Sequence, residues 1–429
     1  MTTQDHEAQF IDVSDLRIGH YVYLDLGWMR HPFTLNNFRI TEQEQIDTIR
    51  QLGINRIRWS PERSVPEPAR TAAPVDAAAA AKSAEQAAVT ETQRRQRREL
   101  LDSQRKRLES CERQFTSASR TYRQVIDIAQ AQPEAARLQA EQVIGQMVSQ
   151  LIGQEETAIR LLSENFGEKS SLHAVNVTTL SLLLGKTLGL DAKQLGELGL
   201  GALLHDIGKI VLPERLRWKD DKFNSAERHL YEEHVAQGVE IARAMRLPAA
   251  VQAVIAQHHE LANGRGYPQR LAGEAIAPLA RIVSLVNHYD NLCNPANPTQ
   301  AVTPHEALSL TFAQAKHQFD IEVLMPFIRM MGVYPPGSVI ELNDGRFALV
   351  VSVNSSRPLR PHILIHDVRV PRDEALIVDL EAMPQLGIRR SIKPLQLPRA
   401  TFDYLSPRTR ICYFFERAQL ASRHGEGEA

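Results

Sequence analysis

Side chains able to bind transition metals crowd into one stretch of this chain: His173, His205, Asp206, His234, His258 and His259. One histidine on an apolar face is usually a satisfied core residue. Five of them with an adjacent aspartate are harder to accommodate, because each buried imidazole needs partners for both ring nitrogens. Imidazole and carboxylate together are ligands for first-row transition metals. His205 and Asp206, adjacent in LLHDIGK, can direct two ligands toward one site, and His258-His259 can reach two ions from the end of another helix. A pair of such ions could activate water and stabilise charge building on a phosphoryl oxygen.

These residues need elements that bring them together. Residues 164–331 read as one amphipathic helix after another. Upstream, residues 92–163 are helical in composition. Leu101, Leu108, Phe115 and Tyr122 fall at heptad spacing, with Cys111, Ala118 and Val125 on the companion seam. Pro133 interrupts this pattern, and Leu138, Val143, Met147 and Leu151 mark a second helix. The seam fits a homodimer formed through this helical connector, or equally a hairpin packed on its own domain. Residues 61–91, rich in Ala and Pro, cannot bury enough apolar surface to offset ordering entropy and read as a linker.

Residues 1–60 read as a small α/β module, with strand-like runs at His20–Leu26 and Ile54–Trp59. Its helix would start at a Thr41–Glu44 capping box, bury Ile46, Ile49 and Leu52, and stop at Gly53. Residues 332–429 form a small β appendage and tail. Ser338–Leu342 and Phe347–Val353 flank the hairpin signal Asn343-Asp344-Gly345, and His362–Asp367 and Ala375–Leu380 add strand-like runs. The expected fold class is mainly α, an all-helical domain with a small sheet module on either side.

Composition narrows the function. Of 429 residues 43% are hydrophobic, which suits a chain with real cores, and the formal charge of -1 favours neither DNA, RNA nor an anionic membrane. Cys111, Cys293 and Cys412 form no CxxC pair, which fits a reducing cytoplasm. The start MTTQDHEAQF lacks a signal-like pattern, and no run approaches the roughly 20 apolar residues of a membrane span.

The fuller motifs, LLHDIGKIVLPE, then Glu227 and HVAQG, then HHELANGRGYP, resemble the HD superfamily of phosphohydrolases, specifically its HD-GYP branch. VSDLRIGHYVYLDLGWMRHPF is similar to the uncharacterised domain that often precedes HD-GYP domains, and YPPGSVIELNDGRFALVVSVN to the short tail that follows them. The resemblance implies an HD-type helical domain that hydrolyses cyclic di-GMP to pGpG, and onward to GMP, with two divalent ions, iron or manganese. It also implies that His173, His205, Asp206, His234, His258, His259 and Asn287 are metal ligands, with Asp206 and Lys209 catalytic. Lys209, Arg265 and Tyr267 would contact substrate, while Glu260 would orient a ligand histidine.

Two departures stand out. Asn287, in SLVNHYDNL, occupies the place of a ligand aspartate, while Asp290 matches a second, structural one. Asn294–Thr299 stands where relatives carry a basic phosphate-contacting segment and contains no Arg or Lys. Lys169 replaces a glutamate associated with a third ion. These changes leave open a degenerate domain that binds cyclic di-GMP or a protein partner with little turnover. Nucleoside phosphate hydrolysis and a purely structural scaffold are the remaining alternatives.

Overall fold

A computed structural model describes residues 9–26, 31–66, 77–153, 156–163, 169–218, 223–314, 316–354 and 357–418; the side chains of 77–88, 90 and 169 lie outside that description. The chain divides into two units, Met1–Gln93 and Arg94–Ala429.

In the first unit, β1 (Gln9–Asp12), β2 (Tyr21–Tyr23), β3 (Asn37–Arg39) and β4 (Arg56–Ser60) make an antiparallel sheet in the order β1-β4-β2-β3. Helix α1 (Gln43–Gln51) buries Ile46 and Ile49 in a core with Val22, Leu24, Ile40 and Ile57. Its capping box joins Glu42 to Gln45, one residue later than the sequence pattern suggests, and Leu52 is only half-buried. Helix α2 (Ala77–Ile128) begins inside the stretch read as linker, and residues 67–76 of that stretch lie outside the described residues.

From Arg94 onward α2 belongs to the second unit. Cys111, Phe115, Ala118, Tyr122 and Val125 are buried there in one core with α3 (Pro133–Ile152) and the helices that follow. The later part of the heptad seam is therefore satisfied within the chain. Next come β5 (Thr157–Leu161), α4 (Lys169–Thr187), α5 (Ala192–Leu204), α6 (Ser225–Glu232), α7 (His234–Ala244) and α8 (Ala249–Gln257). Helices α9 (Pro278–Cys293), α10 (Pro304–Ala313) and α11 (Ile321–Met331) complete the helical domain. From Ser171 to Gly185, α4 is buried on every face, as a helix at the centre of a bundle must be.

The C-terminal strands are β6 (Val339–Leu342), β7 (Phe347–Asn354), β8 (His362–Ile365), β9 (Ile377–Asp379) and β10 (Ile388–Ile392), followed by α12 (Arg399–Leu405) and β11 (Tyr413–Arg417). The Asn343-Asp344-Gly345 turn joins β6 to β7 as expected. The sequence pattern does not reveal that β5, which precedes the helical domain, inserts between β7 and β11. The sheet is thus assembled from both sides of the helical domain.

Because Phe115 is fully buried, Phe115→Ala should destabilise the chain by about 3–5 kcal/mol. The exposed neighbour Arg120, changed to Ala, should stay within about 0.5 kcal/mol. Denaturant unfolding of the full chain measures both; equal, small effects would show that α2 is not part of this core.

Candidate metal centre and adjoining cavity

The histidines sit at helix ends. His173 lies in the first turns of α4, His205 caps α5 at its C-terminus, His234 opens α7, and His258 caps α8. The last carbonyls of a helix lack intrahelical donors. His205 Nδ1 meets the Ala202 carbonyl at 2.7 Å, and His258 Nδ1 meets that of Ile255 at 2.9 Å. His234 Nδ1 similarly faces the Tyr231 carbonyl at 2.5 Å, while His173 Nδ1 lies 2.6 Å from Asp290 Oδ2.

Carbonyls only accept, so Nδ1 carries the proton at His205, His234 and His258, and the Asp290 carboxylate sets the same tautomer at His173. Every Nε2 is left with a lone pair facing inward. His173 Nε2 and His205 Nε2 are 3.2 Å apart, and His234 Nε2 and His258 Nε2 are 3.4 Å apart. Asp206 lies between the pairs. Its Oδ2 is 3.4 Å from His205 Nε2 and 3.7 Å from His173 Nε2, while its Oδ1 is 3.5 Å from His234 Nε2 and 3.7 Å from His258 Nε2.

Two groupings result, His173-His205-Asp206 and Asp206-His234-His258-His259, each with ligand atoms within 4.8 Å of one another. Asp206 Oδ1 and His259 Nε2 are buried without a hydrogen-bond partner among the described residues. Facing imidazole acceptors with no donor between them suit cations, so the residues present fit a metal ion in each grouping, with Asp206 common to both.

Lys209 Nζ lies 2.6 Å from Asp206 Oδ2. Burial opposes the lysine's charge, but Asp206 outweighs it and raises the ammonium's pKa above its ordinary value. Burial would likewise raise the Asp206 pKa, yet Lys209 and His205 hold it well below the usual carboxylate range. Burial pushes His234 down to about 3 and lowers His205 and His259 as well, so these imidazoles are neutral near neutral pH, the form that can bind a metal. Gly208 lets this turn close on α7, because a Cβ there would collide with the His234 carbonyl and the Gly238 amide.

The signature loop packs the centre from the side. Tyr267 stacks on His259 with ring centroids 4.5 Å apart. Gly266 leaves no room for a Cβ against the backbone of His259 and Leu261. The Glu260 carboxylate accepts from Gln269 N at 2.7 Å and Leu271 N at 2.9 Å, so it fastens the loop and does not orient a histidine. Arg265 is exposed. Asn287 is buried on α9, with its side-chain oxygen accepting from Asn291 Nδ2 at 2.6 Å.

A cavity of about 530 Å³ opens beside the centre, with His173, Asp206, Lys209, Trp218, Tyr122 and Arg123 in its lining. Arg265 and Tyr267 are not among the lining residues. Sequence spacing gave no weight to Asp290 as the partner of His173, nor to Asn176 and Asn294, which donate to Asp290 Oδ1 at 2.9 and 3.0 Å. It also gave none to Arg123. The hint available for Asn176 was its place one turn after His173 on the same helix.

Fold and site together define a helical domain whose histidines and Asp206 could hold metal ions beside a cavity lined by Arg123, Lys209 and Arg217 as well as by Asp127, Asp206 and Glu214. Residues 123–323 match the family model described as HD domain, residues 9–140 the domain of unknown function DUF3391, and residues 339–399 a KOW domain associated with HD domain. The HD match begins within α2, well before residue 164. A cyclic di-GMP phosphodiesterase of Pseudomonas aeruginosa is 26% identical over 364 residues, covering 83% of this chain and 84% of that protein. A cyclic di-GMP phosphodiesterase response regulator of Xanthomonas campestris is 34% identical over 140 residues, 32% of this chain and 37% of that protein. A 3′3′-cGAMP-specific phosphodiesterase of Vibrio cholerae is 30% identical over 126 residues, 29% of this chain and 24% of that protein. The chain spans most of the Pseudomonas protein but well under half of the other two. It carries an HD domain, preceded by the domain of unknown function and followed by the KOW domain. No described helix is long and apolar enough to cross a membrane.

Asp290→Asn preserves the shape beside His173 and removes the charge that orients it. Metal affinity should fall about 10- to 100-fold, read by titrating Mn2+ against a chelator. Unchanged affinity would mean that His173 is held without that carboxylate.

Proposed function

We propose that this chain is a metal-dependent phosphodiesterase that hydrolyses cyclic di-GMP to linear pGpG, and onward to GMP. The observation that carries this reading is the pair of acceptor-only groupings sharing Asp206, set with Lys209 in the wall of a nucleotide-sized cavity. The named activities of the relatives support it. His173, His205, His234, His258 and His259 with Asp206 would hold two divalent ions, iron or manganese being suited to imidazole and carboxylate. Such ions polarise the phosphoryl oxygen and make water nucleophilic near neutral pH.

The chain's own residues do the remaining work. Asp290 and the carbonyls of Ala202, Tyr231 and Ile255 fix the direction in which the imidazoles point. Water adds to phosphorus and the bond to the ribose 3′ oxygen breaks, so negative charge grows on the phosphoryl and leaving oxygens. Lys209, kept protonated by Asp206, meets that charge as a fixed cation. Trp218 lines the same cavity and offers an aromatic surface to a guanine. All three cysteines are buried and none is in a disulfide, which supports action in a reducing cytoplasm.

A second reading, a cyclic di-GMP receptor with little turnover, is favoured by Asn287, which brings no charge, and by the cation-free run Asn294–Thr299. One assay separates the two. The chain, loaded anaerobically with Mn2+ or Fe2+, should convert cyclic di-GMP to pGpG. Asp206→Ala should lower turnover by more than about 100-fold, with 3′3′-cGAMP run as a competing substrate. Tight binding without product would install the receptor reading.

A further inference from the structure

The cavity holds a cation that the proposed chemistry has not used. Arg123 of α2 lines it together with Tyr122, His173, Asp206 and Lys209, and its Nε is buried without a hydrogen-bond partner among the described residues. A desolvated guanidinium N–H left unpaired is costly, and the cost disappears when an anion arrives. Asp127, one turn along the same helix, and Glu214 also reach the cavity, but both are exposed and neither bonds Arg123 Nε. Across the cavity, Arg217 is anchored through Nε to the Leu212 carbonyl at 3.2 Å and through Nη2 to that of Ile210 at 3.4 Å. The run after α9, Asn294–Thr299, supplies no cation at all.

We infer that Arg123, on the helix that enters the domain from upstream, is a substrate-binding residue that holds a phosphate of the cyclic dinucleotide, with Arg217 as the second cation of the clamp. A guanidinium suits this role because its planar fork matches two phosphate oxygens at once, which an ammonium cannot do. The inference rests on the proposed function and deepens it by assigning the phosphate contact. It gives α2 a place in the site as well as in the core. A phosphate seated here would lie beside Lys209 and the Asp206 edge of the metal centre, which all face the one cavity.

The test compares the full-length Mn2+-loaded chain with Arg123→Gln and Arg123→Lys, using cyclic di-GMP as substrate. Unfolding midpoints and metal content serve as controls for folding. Arg123→Gln should raise KM about 10- to 100-fold, the range for a lost charge-assisted hydrogen bond. Its kcat should stay within about threefold of the parent, and Arg123→Lys should fall between the two. If the parent turns over and the variants match it, the inference is overturned and the proposed function stands. A drop in kcat and metal content at unchanged KM also overturns it, since Arg123 would then be structural. Should the parent bind without turnover, the same rise is expected in Kd, and an unchanged Kd overturns the inference. A parent that neither binds nor hydrolyses the dinucleotide removes the proposed function and this inference with it.

Discussion

The direction of the histidine protons is the constraint on which this domain depends. His205, His234 and His258 each give Nδ1–H to a carbonyl three residues earlier, and His173 is turned by Asp290. Only lone pairs and the Asp206 carboxylate remain inside. A buried acceptor without a donor costs about 1–3 kcal/mol. Several together approach the whole stability of an ordinary domain, about 5–15 kcal/mol. Cations would offset that cost, and a scaffold that cannot easily relax keeps the acceptors in place. The buried stretch of α4 from Ser171 to Gly185 and the glycine contact between Gly208 and α7 supply that stiffness.

Asp290 carries the constraint outward. Asn176 and Asn294 both donate to its Oδ1, and both also donate to the Ile411 carbonyl, at 2.7 and 2.9 Å. Ile411 N returns a bond to Asn294 Oδ1, and Tyr413 N to Asn176 Oδ1. The residues leading into β11 are therefore tied, through Asn176 and Asn294, to the carboxylate that turns His173. β11 then pairs with β5, on the other side of the helical domain in sequence. The C-terminal region is more than an appendage: its last strand helps fix α4 against α9 beside the histidine cluster.

The histidines and Asp206 were legible because chemistry restricts which residues can serve, and because their motifs sit at helix ends where spacing is informative. The β6–β7 turn was legible because Asn-Asp-Gly favours a tight hairpin. β5 was not, since five residues between two long helices carry no alternation that separates them from a helix tail. Glu260 was misassigned because adjacency to His259 in sequence does not fix direction; its side chain turns to the loop amides of Gln269 and Leu271. Asp290 was undervalued because which neighbour it meets is a tertiary fact. Arg123 lay hidden among the many charged residues of α2, whose heptad pattern identifies the core-facing seam and says nothing about a cavity beside it.

The two departures from the family pattern act in opposite electrical directions. Replacing an acid by Asn287 removes a negative charge from α9, while the cation-free Asn294–Thr299 withholds positive charges beyond its end. At a separation of about 10 Å and an effective dielectric constant near 20, one unit charge changes the energy of a phosphate by about 1–2 kcal/mol. The absent acid therefore makes up for roughly one absent base as far as long-range attraction goes. It cannot replace the directional hydrogen bonds a base would make. Those must come from donors that already line the cavity, where Lys209 is tied to Asp206 and the Arg123 Nε has no partner among the described residues. A centre with fewer acids needs fewer fixed cations to draw in its substrate, but it still needs one that can grip it.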